Sequence, residues 1–395
     1  VRVSEELASR GIPCIVLDVP WGFVWNTLKK KGNSYIHLVT VEDRLNLDGV
    51  ASENDTVVAF NHQVSTYASA FKRSNPRLLI WDINGYDWWE QFLGGKPRWI
   101  MDSALMRRWR NRLACEIAVR NGIVFVNEVG QSSFKKIAWP MTEVGTIVPV
   151  PVPLLNKPRT RTLLPNKVIR AVYVGRAELW KIAPAKRIIR DFLRDNLMRL
   201  TIITDSAERF RQQLGAGLDK IDFIEGLTVN ELESFLFAEA DLCFGMGTAC
   251  LDGARLGIPS ILCDFTLDGS EFPANYGYRW LFEDRSFILG QEVRGMANVS
   301  NTSSDRVLEQ LRSSSLELGH RCWSAVRDKF EVSNVVDKLL KAGQETRLTI
   351  EQFRDNPAVH LFQTKCKLLK RLRGPQGPEK LLRDTPMIRK ESRSG

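Results

Sequence analysis

The chain has 395 residues, 44% of them hydrophobic, which is enough for two α/β domains with a buried sheet each and more than one ordinary domain uses. The apolar residues fall in short runs such as VVAF, LLIW, TIIT and SILC, far from the roughly 20 consecutive apolar residues of a spanning helix, so a transmembrane segment is excluded. The formal net charge is +10, but ten Lys/Arg against three Asp/Glu lie between Lys365 and Gly395; the remaining body is nearly neutral and has no recognition module, which excludes nucleic acid as the partner behind the basic balance.

The opening VRVSEELASRGIPCIVLDV reads as a helix, a Gly turn and a strand, with no charged-then-apolar signal segment ahead of it. A helix of this kind normally follows a strand and a Gly-rich turn, so the expectation is that the chain starts late, ahead of the alternative that the first domain lacks its first strand. Strand patterns continue at residues 35–39, 56–60, 77–81, 123–127 and 145–148, with helices near 1–10, 63–74 and 99–121. Pro149, Pro151, Pro153, Pro158 and Pro165 then mark a linker, because proline removes backbone donors and fixes φ. Beyond it, strands at 168–174, 199–204, 221–225, 241–244 and 258–263 alternate with helices near 184–196, 205–214, 229–238 and 249–256, and helices at about 304–328 and 333–342 follow. Thr228-Val-Asn-Glu231 has the form of a capping box, flanked by Leu227 and Leu232 at staple positions.

This alternation predicts an α/β protein of two doubly wound, Rossmann-like domains facing across a cleft. The expected boundaries are 1–150, a linker at 151–167, a second domain at 168–342 and a basic extension at 343–395. The seven cysteines are scattered singly with no C-x-x-C pair and read as buried thiols of a cytosolic protein.

The densest chemistry is in DLCFGMGTACLDGARLGIPSILCDF, residues 241–265. A short strand ends in Gly245-Met-Gly247-Thr248 and a helix starts at once, a turn suited to a diphosphate because the backbone can approach it and the helix N-terminus favours an anion; the same pattern also describes a plain tight turn. Asp252, one helical turn later, is placed either for a ribose diol or as a solvated helix residue. In VYVGRAELWK, residues 172–181, Arg176 and Lys181 follow the first strand of the second domain. Ligands collect at the carboxyl ends of parallel strands, where a guanidinium fork and an ammonium point charge would neutralise a diphosphate.

The combination of GR-x4-K after that strand, the small-residue turn, the acidic residue and AxxGIP resembles the donor domain of GT-B glycosyltransferases over residues 168–342. GMGTACLDGARLGIPSIL followed by NYGYRWLFE is similar to glycosyltransferase-like proteins of bacterial surface-polysaccharide clusters. The resemblance implies that Arg176, Lys181 and the backbone of the Gly245, Gly247 and Thr248 turn bind a donor diphosphate, that Asp252 takes the ribose, and that the turn at Glu225 and Gly226 holds the base. Many retaining members carry two glutamates eight residues apart; here Phe244 and Asp252 stand in those places.

In the first half, His62 follows TVVAF and Asp82 follows LLIW. Each is a candidate general base toward an acceptor hydroxyl, and His62 is equally a helix-start hydrogen-bonding residue. Tyr86, Trp88, Trp89 and Phe92 are candidates for stacking on a sugar or for ordinary core packing. No D-x-D pair or His/Asp cluster has metal spacing, so the expectation is hexosyl transfer without metal or cofactor, from a sugar nucleotide to a glycan or lipid-linked acceptor. The alternatives are a sugar-nucleotide epimerase on the same architecture and an inactive GT-B binding protein. The tail, with LysLeuLeuLysArgLeu at 367–372, is expected to form an amphipathic contact with an anionic membrane surface at the inner face or to remain solvated.

Overall fold

The computed structural model describes residues 1–360 except 19–21, 41–46, 61–63, 65–67, 84–103, 156, 161, 165–166, 194–196, 216–219, 274–275, 285 and 294–301. His62, the group Tyr86, Trp88, Trp89 and Phe92, and the basic tail beyond residue 360 lie outside the described residues. Among the described residues no helix is long and apolar enough to cross a membrane.

Strands and helices alternate along the chain. Helix α1 (Arg2–Ser9) leads to β1 (Cys14–Asp18), α2 (Phe23–Lys31) and β2 (Ile36–Thr40), and β1 and β2 pair in parallel. Then come β3 (Thr56–Phe60), β4 (Arg77–Asp82), α3 (Ala104–Val119), β5 (Ile123–Phe125), α4 (Glu128–Ile137) and β6 (Thr146–Ile147), which build a four-stranded sheet of order β3-β4-β5-β6. Its β3–β4 and β4–β5 pairings are parallel.

The second half contains β7 (Ile169–Val174), α5 (Leu179–Phe192), β8 (Met198–Thr204), α6 (Ala207–Leu214), β9 (Ile221–Glu225), α7 (Val229–Glu239), β10 (Leu242–Gly245), α8 (Thr248–Ala254), β11 (Ser260–Leu262) and β12 (Arg279–Trp280). Helices α9 (Ser304–Phe330), α10 (Val332–Glu345) and α11 (Ile350–Arg354) complete the described chain. The six strands form one sheet of order β12-β11-β10-β7-β8-β9, parallel except for the short β12. Tyr173 of β7 and Phe244 of β10 are fully buried in its core, with Phe192 of α5 packed 5.4 Å from the Phe244 ring. Parallel strands covered on both faces are apolar throughout rather than alternating, as VYV and LCF show.

By contact, the chain divides into two compact units. One gathers Val1–Thr40, Val126–Val129 and Ile147–Leu340; the other gathers Val41–Phe125, Gly130–Thr146 and Lys341–Gly395. The first 150 residues are thus shared between the units. Within the first unit, Arg10 is ion-paired with Asp337 of α10 and donates to the Ser333 carbonyl at 3.0 Å, while Arg2 donates to the Pro151 carbonyl at 2.9 Å.

Three helices were not legible from the pattern. The sequence of α4, EVGQSSFKKI, contains Gly and Ser that read as loop, yet it buries Gly130 and Phe134, so packing overrides propensity. The sequence of α2 has no acidic residue in its first turn. The short α11 starts with a Thr349/Gln352 capping box. Helix α5 also begins five residues before Pro184, which sits inside it; Lys181 therefore belongs to the first helical turn and not to a loop.

The Thr228 box forms as its sequence indicates. The Glu231 N–H donates to the Thr228 hydroxyl at 3.3 Å, and the Thr228 N–H donates to the Glu231 carboxylate at 2.8 Å. Leu227 and Leu232 both pack against the cluster formed by Leu236, Cys243 and Ile258. Thr228→Ala is expected to destabilise the protein by about 1 kcal/mol and Thr228→Ser by far less, measured by urea unfolding; equal midpoints for Ala and wild type would contradict the cap.

Candidate functional site

Strand β7 lies at the centre of the six-stranded sheet, with β8 on one side and β10 on the other. From β7 the chain steps outward to β8 and β9, then returns across the sheet to β10 and β11. The strand order reverses at this point, and in open α/β sheets the crevice at such a reversal is where ligands bind. The register puts Val174 of β7 opposite Gly245 of β10. The Gly175–Ala177 turn and the Met246–Thr248 turn therefore leave the sheet side by side.

The two glycines of the second turn do different work. A Cβ on Gly245 would lie 2.6 Å from the Cys250 nitrogen, so only glycine lets the turn pass this close under α8. Gly247 caps α8 at φ +64°, a left-handed conformation, and a Cβ there would meet nothing within 4 Å; the space outside is open. Its own N–H donates to the Leu289 carbonyl at 2.6 Å, so Gly247 shapes the turn while Thr248 and Ala249 carry the first N–H groups of the helix.

Arg176 follows Gly175 and is 62% exposed, with Nη1 3.3 Å from the Glu178 carboxylate. Lys181, in the first turn of α5, sits with Nζ 4.8 Å from the Trp180 ring centroid. Burial lowers the Lys181 ammonium below the usual lysine range, and the neighbouring Arg176 acts in the same direction against the opposing pull of Glu178 and Asp205. Arg176 and Lys181 are thus two neighbouring cations at the carboxyl end of β7.

Asp205, at the carboxyl end of β8, was not singled out from the sequence. Its carboxylate accepts the Ala177 N–H at 2.7 Å and the Thr204 hydroxyl at 3.2 Å. It thereby ties the end of β8 to the turn that carries Arg176. Burial works against its charge, but these hydrogen bonds and Arg176 hold the carboxyl below the usual carboxylate range. The available signal was an Asp placed between the strand run TIIT and the next helix, a usual site for a carboxylate that binds backbone N–H groups.

The other expected residues are placed as follows. Asp252 lies on α8 one turn past Thr248, with Oδ1 3.4 Å from Arg255 Nε; burial raises its carboxyl while Arg255 and Arg2 oppose the rise. Arg255 in turn donates to Glu233 at 2.8 Å, so Asp252 stands within an ion network. The Glu225 carboxylate accepts the Ala207 N–H at 2.8 Å and so caps α6, and Gly226 turns the chain after β9 at φ +74°. That turn is two strands from β7, about 10 Å away at the usual strand spacing. Asp82 ends β4 in the other unit and is 2% exposed. Among the described residues, no three His, Cys, Asp or Glu side chains are grouped to hold a metal ion.

No protein-family model matches the chain, and no curated protein matches it. Solved structures do. A glycosyltransferase from Rickettsia africae ESF-5 superposes with a TM-score of 0.53 at 12% identity, over 87% of this chain and 93% of that one. The lipopolysaccharide outer core galactosyltransferase WaaB, in its apo form, gives a TM-score of 0.51 at 12% identity over 86% and 92%. The chain has the GT-B glycosyltransferase fold. At this identity the likeness carries the fold, and the chemistry has to be argued from the residues at the β7/β10 reversal.

Asp205→Ala is expected to destabilise the protein by about 0.5–1.5 kcal/mol through loss of the Ala177 hydrogen bond. Because the folded carboxyl titrates below its unfolded value of about 3.9, the charge-linked part of this stability is present above that pH and is lost as the pH falls through the lower folded value. Urea midpoints measured against pH for wild type and Asp205→Asn should converge in acid; a constant gap would contradict the assignment.

Proposed function

We propose that the chain is a glycosyltransferase that moves a hexose from a nucleoside-diphosphate donor to a glycan or lipid-linked acceptor, with residues 168–342 as the donor domain. The observation that carries this reading is the pairing of Arg176 and Lys181 with the open α8 N-terminus at the one place where the strand order reverses. A nucleoside diphosphate fits that edge in both charge and length. The diphosphate sits between Arg176, Lys181 and the Thr248 N–H, and the nucleoside runs across β8 toward the Glu225–Gly226 turn, with Asp252 reaching the ribose from α8.

In the proposed step the bond from the anomeric carbon to the diphosphate oxygen breaks, and its electron pair leaves with the diphosphate. The acceptor oxygen bonds to the anomeric carbon through an oxocarbenium-like transition state and gives up its proton to a base, for which Asp82 and His62 are the candidates. Negative charge grows on the leaving diphosphate, so cations and helix N–H groups fixed there before reaction stabilise the transition state more than the ground state. The protein's own cations supply this charge, which is the basis for proposing transfer without a resident metal. The basic tail is proposed to hold the enzyme at an anionic membrane surface, in keeping with an acceptor for surface polysaccharide.

Calorimetry with a panel of nucleoside diphosphates and their nucleosides tests the site. Arg176→Ala and Lys181→Ala should each weaken diphosphate binding roughly ten- to a hundredfold, or about 1.5–3 kcal/mol, and leave nucleoside binding nearly unchanged. Asp252→Ala should weaken both ligands alike. Small, equal effects from all three in folded proteins would remove the reading. Wild-type diphosphate affinity should also fall as pH rises through the lowered Lys181 value, with a flatter profile for Lys181→Ala. Donor-dependent release of nucleoside diphosphate, followed by product analysis, separates a transferase from an epimerase and from an inactive binder.

A further inference from the structure

The unit built on β3 to β6 carries a face of mixed character that the donor site does not use. Residues three, four and seven apart share one side of a helix, so Leu105, Arg108, Arg112, Cys115 and Val119 line one side of α3. Leu105 is 57% and Val119 54% exposed, and both arginines are exposed. The other side, with Leu113, Ala114, Ile117 and Ala118, is buried, which fixes the outward orientation of the stripe.

The end of α4 joins this face. Cys115 Sγ lies 3.3 Å from the Ala138 carbonyl oxygen and 3.5 Å from that of Trp139. Trp139 is 76% exposed, more than any other large hydrophobic residue among those described, and Lys135 and Lys136 in the last turn of α4 are exposed too. Charge along the α3 stripe is one-sided. Glu116 of α3 is occupied by Arg120 at 3.9 Å and by the Asn356 amide at 3.0 Å, whereas Arg108 and Arg112 make no ion pair with a carboxylate among the described residues.

We propose that this α3–α4 face docks on an anionic lipid bilayer, independently of the basic tail. An acidic polymer would engage the cations but gain nothing from an exposed Leu, Val and Trp. An apolar protein surface would bury those three but leave unpaired cations desolvated. A bilayer interface satisfies both sets. Arginine and lysine heads reach phosphate groups while their stems, the indole and the leucine enter the boundary layer below. Each basic residue near an anionic leaflet contributes roughly fivefold in affinity, so Arg108, Arg112, Lys135 and Lys136 suffice for a reversible, salt-sensitive contact.

The test is co-sedimentation of the full chain with vesicles of phosphatidylcholine alone or mixed with phosphatidylglycerol. Arg108→Glu combined with Arg112→Glu should lower partitioning onto the mixed vesicles at least tenfold, Trp139→Ser should lower it severalfold, and Arg108→Lys with Arg112→Lys should retain it. Unchanged nucleoside-diphosphate binding and thermal midpoint establish that each variant is folded; if the parent chain binds no nucleoside diphosphate, the midpoint alone serves and the proposed activity fails separately from this face. Wild-type vesicle binding by a folded reversal variant would overturn the proposal and assign membrane contact to the tail. RNA binding abolished by the same reversals, in a chain that ignores vesicles, would overturn it in favour of an acidic polymer.

Discussion

The proposed donor site depends on one geometric constraint, the parallel pairing of β7 with both β8 and β10. A strand paired in parallel on both sides needs helical crossovers before and after it. Because the chain goes from β7 to β8 and β9 before returning to β10, two connections leave the sheet in opposite directions from neighbouring strands. The gap between them is bordered by backbone rather than by a covering helix. The Val174↔Gly245 register sets the two turns level, and the absence of a side chain at Gly245 lets α8 begin there. Charge recognition then needs only side chains whose positions those turns already determine.

The electrostatics follow from that arrangement. Glu178 pairs with Arg176, and Glu178 and Asp205 balance part of the charge at Lys181. Partial burial makes Lys181 more responsive to an incoming anion than a surface lysine would be, since screening by solvent is weaker there. The same logic sets Asp252 apart. Its carboxylate is already matched by Arg255 and Arg2, so a ribose contact would have to draw on the oxygen those arginines leave available.

Much of the sheet could be read from composition. Runs such as AVYV, TIIT and LCFG, each bounded by Gly, Asp or Pro, mark parallel strands whatever surrounds them, and the Gly245–Thr248 turn and Arg176 stand out because their chemistry is local. Asp205 did not, because its meaning comes from Ala177, 28 residues earlier in the chain, and pattern reading does not join such pairs. Glu225 was assigned from the family resemblance, yet its carboxylate serves the N-terminus of α6, a partner visible only once β8 and β9 are aligned. The exposed Trp139 carries no periodic signal at all; its position is set by the packing of Cys115 against the end of α4.

The most direct measurement of the central claim is a crystal structure of the chain with a nucleoside diphosphate bound. The account predicts the diphosphate between the Gly175–Ala177 turn and the start of α8, its oxygens within hydrogen-bonding distance of Arg176 and of the Thr248 N–H, and the nucleoside lying over β8 toward Gly226. A diphosphate bound at any other part of the sheet, with the β7/β10 reversal filled only by solvent, would contradict it.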